Sequence, residues 1–131
     1  MQFYESSSPS GAGTVAGLLS DLATATKIAK VAKLCHLSVR NTDKADTMIG
    51  FLSEQRAALL ILDWDGCETE CCKLLENLRN SGIHPKMSVV GYLSSGKRDL
   101  KDAAQSAGCD RVYFKTDFLK NLESLIARCA L

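Results

Sequence analysis

The stretch Ala58-Leu59-Leu60-Ile61-Leu62-Asp63-Trp64-Asp65-Gly66 decides the fold. Five apolar residues run unbroken into an aspartate, followed two positions on by a second acid and then a glycine. A strand with one wet face would alternate apolar and polar side chains. A continuous run ended by turn residues predicts instead a central strand of a parallel sheet, covered on both faces. In open parallel sheets ligand chemistry collects just beyond the carboxyl ends of the strands, and Asp63 stands at such an end.

Working outward from that strand, the same alternation continues. Residues 1–14 are rich in Ser, Gly and Pro from Glu5 onward and predict a flexible leader, with one domain over 15–131. Val15 to Leu19 is an apolar run ending in Ser20-Asp21, a first strand. From there Leu22, Ala25, Ile28, Ala29 and Ala32 recur at helical intervals, with Lys27, Lys30 and Lys33 opposite them. Asp21 is placed to cap that helix. Leu37 to Thr42 predicts a second strand, and Asp43 to Gln55 a helix with Met48, Phe51 and Leu52 inward.

Beyond the opening run, Thr69 to Arg79 predicts a helix with Cys71, Leu74, Leu75 and Leu78 on its apolar face, stopped by Ser81-Gly82. Met87 to Leu93 reads as a fourth strand and Arg98 to Ser106 as a polar helix ended by Ala107-Gly108. Arg111 to Phe114 is a fifth strand. Phe118 to Cys129 is a last helix that buries Phe118, Leu122, Leu125, Ile126 and Cys129. Five strands alternating with five helices predict a single α/β domain, a doubly wound five-stranded parallel sheet of the flavodoxin-like kind.

Composition excludes several classes. At 131 residues, 46% hydrophobic and 24% charged, the chain is globular and large enough for one core. Sixteen basic against fifteen acidic residues leave a formal charge of +1, too little to steer the chain to nucleic acid or an anionic membrane. No apolar stretch reaches the roughly 20 residues of a membrane span. MQFYESSSPSGAG lacks the basic segment and apolar core of a secretory signal, so a cytoplasmic location is expected. Six cysteines occur, but Cys67-x3-Cys71-Cys72 matches neither zinc nor redox spacing. They read as reduced small hydrophobes, with a thiol switch around Cys67, Cys71 and Cys72 as the sharper alternative.

An acid after strand one, an acid after strand three and a lysine after strand five resemble the response-regulator receiver family, the CheY-like domains, in an atypical or degenerate form. The resemblance covers Val15 to the C-terminus. It implies a phospho-acceptor at Asp63 and a magnesium site on Asp21, Asp63 and the backbone carbonyl of Asp65. It also implies phosphoryl contacts from Lys115 and Ser94. Typical receivers carry an acidic pair after strand one, a Thr or Ser after strand four and Lys-Pro after strand five. Here Ser20 replaces the first acid, Leu93 stands at the hydroxyl position with Ser94 one step later, and Thr116 replaces the proline. Gly66-Cys67 replaces the usual Met-Pro, and Tyr113 is near the aromatic that receivers use as a signalling rotamer.

Aspartyl phosphorylation needs a carboxylate nucleophile and a divalent cation that neutralises the transferring phosphoryl group. Asp21, Asp63 and the Asp65 carbonyl are oxygen donors of the kind magnesium prefers, and Lys115 supplies a compact point charge. Losing the Leu93 hydroxyl removes the hydrogen bond that senses the phosphoryl group. The chain is thus expected to be a stand-alone, non-enzymatic signalling receiver of bacterial two-component type. Its partner would be a histidine kinase or a downstream protein, met through Arg98–Ser106, strand five and the last helix, a face that could also form a homodimer. Nucleic acid and membrane are not expected partners.

The alternative is a phosphorylation-independent pseudo-receiver acting as an interaction or dimerisation module. A third reading makes Met1–Tyr4 a strand, Ser6–Thr14 a phosphate cradle and Val15 the start of a helix, as in a flavin-binding electron carrier. P-loop and nucleophile-elbow motifs are absent from the sequence.

Overall fold

The computed structural model describes residues 4–6, 13–81, 87–94 and 96–129. In chain order these form β1 (Tyr4–Ser6), β2 (Thr14–Leu18), α1 (Leu22–Leu34), β3 (Ser38–Thr42), α2 (Ala45–Glu54) and β4 (Leu59–Asp63). After them come α3 (Glu68–Ser81), β5 (Ser88–Leu93), α4 (Arg98–Ala107), β6 (Arg111–Phe114) and α5 (Lys115–Cys129). The sheet order is β1-β3-β2-β4-β5-β6. Its five strands from β3 to β6 pair in parallel in the doubly wound order, as expected.

The unbroken apolar run of β4 is explained by what covers it. All five of its residues are buried. Leu60 and Leu62 point into a core shared with Met48, Phe51 and Leu52 of α2 and Cys71, Leu74 and Leu75 of α3. Leu59 and Ile61 point into the opposite core, with Ile28 and Ala32 of α1 and Phe118, Leu122 and Ile126 of α5. Both faces are dry, so neither can be polar. Truncating any one of these leucines to alanine removes contacts worth about 2–5 kcal/mol.

Three differences from the expectation have physical reasons. Tyr4–Ser6 is not leader but an antiparallel edge strand on β3, in the register Tyr4↔Asn41, Glu5↔Arg40, Ser6↔Val39. An edge strand needs only backbone donors and acceptors, so composition does not announce it. The rest of the expected leader up to residue 12 lies outside the described residues. Val15 lies inside β2, not at a helix start, which removes the flavin-carrier reading of this segment; Met1–Phe3 and the cradle residues 7–12 are not described.

Leu22 is the second difference, since it is 82% exposed where the helical spacing placed it inward. At about 100° per residue it sits roughly 120° around α1 from the buried Ile28, outside the covered stripe. The third is α5, which begins at Lys115, directly after β6, and not at Phe118. Thr116 keeps its N–H and a free φ, so nothing interrupts the passage from strand to helix.

Helix ends behave as their residues dictate. Asp21 caps α1, accepting from the backbone N–H of Ala23 and Thr24 at 3.1 and 3.3 Å. The same helix closes with the Leu37 N–H on the Ala32 carbonyl and the His36 N–H on the Lys33 carbonyl. That motif holds His36 at φ +60°. α4 ends on Gly108 at φ +130°, a conformation that suits glycine. Gly82, the expected stop of α3, lies outside the described residues.

Candidate functional site

The carboxyl edge of the sheet gathers three acids and two lysines. Asp63, the last residue of β4, is only 3% exposed. Its Oδ1 accepts the backbone N–H of Asp65 at 3.1 Å and of Gly66 at 2.9 Å, and its Oδ2 accepts the Ser20 N–H at 3.4 Å. Those bonds satisfy part-buried donors of the turn after β4 and of Ser20. The turn closes over the carboxylate tightly. A Cβ on Gly66 would lie 2.3 Å from Ser20 Oγ and 2.8 Å from Asp63 Oδ2, so a larger residue there would have to push those oxygens aside.

Asp21 is committed elsewhere. Besides capping α1 it accepts from Thr24 Oγ1 at 2.6 Å and from Lys115 Nζ at 2.5 Å. The Lys115 bond first, and the Thr24 hydroxyl second, hold its carboxyl down at about 2. The same bond raises Lys115 above the ordinary lysine value. The resemblance implies that Lys115 serves Asp63 or the phosphoryl oxygens on it. Its ammonium reaches Asp21 instead, because a lysine in the first turn of α5 faces the α1 cap.

Asp65 is tied outward. It accepts from Ser94 Oγ at 2.6 Å and from Lys97 Nζ at 3.2 Å. Burial pushes its carboxyl up, but the Ser94 and Lys97 bonds outweigh that, and the net shift is downward. Ser94, expected to contact a phosphoryl group, is thereby engaged with a carboxylate. Leu93 is fully buried beside Phe114 in the core under α2, α3 and α4. Thr116 is exposed in the first turn of α5, Ser20 is exposed, and Tyr113 is half-buried against the α1–α5 core.

The cysteines beside the site are quiet. Cys67 and Cys71 are buried, and burial pushes both thiols up, with Cys72 raised for the same reason. Cys71 donates to the Asp63 carbonyl at 3.5 Å, and burial lifts Cys109 to about 11. Thiols so raised are poor nucleophiles, which argues against a switch based on thiolate reactivity.

A magnesium ion is typically held by one or two carboxylates and several waters. Among the described residues no group of three or more His, Cys, Asp and Glu side chains is disposed to hold a metal. Asp63 accepts backbone N–H groups and Asp21 is paired with Lys115, so a divalent cation ligated by Asp21 would have to displace that ammonium. Sequence reasoning missed Thr24 and Lys97 as partners of these acids. Thr24, three residues after the cap Asp21, carried a capping signal; nothing in the sequence near Lys97 pointed to Asp65.

The parallel sheet in this order, with acids after β2 and β4 and a lysine after β6, defines the CheY-like receiver fold. Solved structures bear this out. The chain is similar to a response regulator from Hahella chejuensis, at 17% identity and a TM-score of 0.77, covering 89% of this chain and 94% of that one. It is similar to the receiver domain of the Francisella response regulator 1452, at 14% identity and a TM-score of 0.73, covering 90% and 96%. It also matches NtrX from Brucella abortus, solved in complex with ATP, at 18% identity and a TM-score of 0.70; there the match covers 90% of this chain but 26% of the longer NtrX chain. No protein-family model and no curated protein matches the sequence. Among the described residues no helix is long and apolar enough to cross a membrane.

Proposed function

We propose that this protein is a receiver-like signalling domain that works through protein–protein contacts and is held in one state by its own ion pairs. The observation that carries this reading is Lys115 bonded to Asp21, while Asp63 accepts three backbone N–H groups. An internal cation takes the role that a metal has in a phosphorylated receiver: it balances Asp21 at no cost in bound ion. Ser94 and Lys97 hold Asp65 across to the loop before α4, so the group that would report phosphorylation is already bonded. The output is a surface, with no chemistry performed on a substrate.

The surface favoured for a partner, or for a second copy, remains α4, β6 and α5. There Lys101 lies over the Phe114 ring at 5.1 Å, a contact that orders the α4 side chains against β6. The phosphorylated reading is supported by the retention of Asp21, Asp63 and Lys115 at one sheet edge. Beryllofluoride with magnesium separates the two. Backbone amides of Asp63, Gly66 and Ser94 are expected not to shift in a heteronuclear spectrum at millimolar magnesium. A shift at those three amides would establish a live acceptor and overturn the constitutive reading.

A further inference from the structure

The half of the edge formed by β2 and β3 keeps polar atoms that the acidic site does not use. Asn41 of β3 is 6% exposed, and neither its Oδ1 nor its Nδ2 has a hydrogen-bond partner among the described residues. A buried amide with both atoms unpaired is costly and calls for a partner. Its seat is shaped for it. Gly17 faces Asn41 across the β2–β3 pair. A Cβ there would lie 2.2 Å from Asn41 Oδ1 and 2.6 Å from Leu19 Cδ2. Glycine at 17 is what lets the carboxamide and the Leu19 side chain lie side by side against β2.

Over this seat opens a groove of about 400 Å³ between the first two turns of α1 and the end of β3. Leu19, Leu22 and Ala25 give it apolar walls, and Ser20, Thr26 and Thr42 give it hydroxyls. Such a mixture, mostly apolar with a few fixed polar groups, is that of a small-molecule site. Leu22, the most exposed large apolar side chain among the described residues, stands at its mouth. The charge at the rim is acidic, from Asp21 and Asp43. Lys115 balances Asp21, whereas Asp43 has no ion pair among the described residues. Arg40, next along β3, is turned to the other face over the Phe51 ring.

The geometry points to a binding site for a small, flat, neutral or cationic molecule carrying an amide-like edge, an N–H donor beside an acceptor, that pairs with the Asn41 carboxamide. An asparagine side chain offers the matching acceptor and donor, as it does when it reads the N6 and N7 atoms of adenine. The flat body lies between Leu19 and Leu22, which removes Leu22 from water. The amide atoms are covered in the empty groove, so Leu19 turns aside on entry. Anions are disfavoured by the two carboxylates. The site is independent of whether Asp63 is phosphorylated.

Titration of the full ¹⁵N-labelled chain with nicotinamide, with adenine and with adenosine monophosphate as the anionic control tests this. Nicotinamide or adenine is expected to shift the amides of Leu19, Leu22, Asn41 and Thr42 with a Kd of about 1 mM or tighter, and the monophosphate to bind more weakly. Asn41→Leu, which removes the unpaired amide, is expected to raise the melting temperature and weaken binding at least ~10-fold. Leu22→Glu, at an exposed position that leaves the core intact, is expected to weaken binding several-fold, and it carries the test should Asn41→Leu fold poorly. Absence of shifts for both neutral probes up to about 10 mM, shifts centred elsewhere, or unchanged binding in the variants overturns the proposal.

Discussion

The two halves of the sheet's carboxyl edge differ in how their polar groups are used. At β4 and β5, Asp63, Asp65, Ser94 and Lys97 bond to one another or to the turn. At β2 and β3 the edge opens into a groove over an amide with no partner among the described residues. The resemblance to receivers pointed to the first half. The groups still available for binding lie in the second. A site can keep its residues and change their pairing: Lys115, bonded to Asp21, has to be displaced before that carboxylate can hold a metal.

The largest expected effect breaks the closed half. Asp63→Ala leaves the N–H groups of Asp65, Gly66 and Ser20 without their acceptor in a part-buried turn, at about 1–2 kcal/mol in denaturant unfolding. A loss under about 0.5 kcal/mol would show that the turn is held by something else and that Asp63 is free for chemistry.

At the junction of the two halves, Asp21→Ala removes a helix cap and the Lys115 partner, at about 1–2 kcal/mol. Asp21 also sets a pH dependence. Its folded value, about 2, lies below the ordinary 3.8, so the stability it contributes is fully present above that ordinary value. It is lost as pH falls through about 2. Asp21→Asn, compared with the parent by chemical unfolding over that range, should flatten this acid limb; an unchanged limb would mean that Lys115 does not face Asp21.

Ser94→Ala gives the smallest change, under about 0.5 kcal/mol, because Asp65 and Lys97 are exposed enough for water to replace the hydroxyl. Its spectroscopic trace is more useful than its energy. Amide shifts should spread from Asp65 to the first turn of α4, and shifts confined to Ser94 itself would show that the two loops are not joined.

Much of the fold was legible in the sequence. The run before Asp63 could be apolar throughout only if both faces were covered, and that demand already contains helices on two sides and a parallel sheet. Capping by Asp21 was legible because a carboxylate before a helical period satisfies local N–H groups. The edge strand β1 was not, since pairing through the backbone leaves no side-chain pattern. The exposure of Leu22 followed from its angular place on α1, which short-range spacing counts poorly when the covered stripe is narrow.

By itself the sequence determined the order of strands and helices, the two dry faces of β4 and the acids at the strand ends, because these rest on local periodicity and turn chemistry. Only the tertiary structure decided which partner each charge takes. Lys115 meets Asp21 because α5 starts at Lys115, before the expected Phe118, and Ser94 meets Asp65 because two loops far apart in sequence approach within hydrogen-bond reach. Hydrogen bonds and ion pairs are lost over an ångström or so of displacement, whereas burial tolerates several. That difference in tolerance is why the core could be read along the chain and the pairing at the site could not.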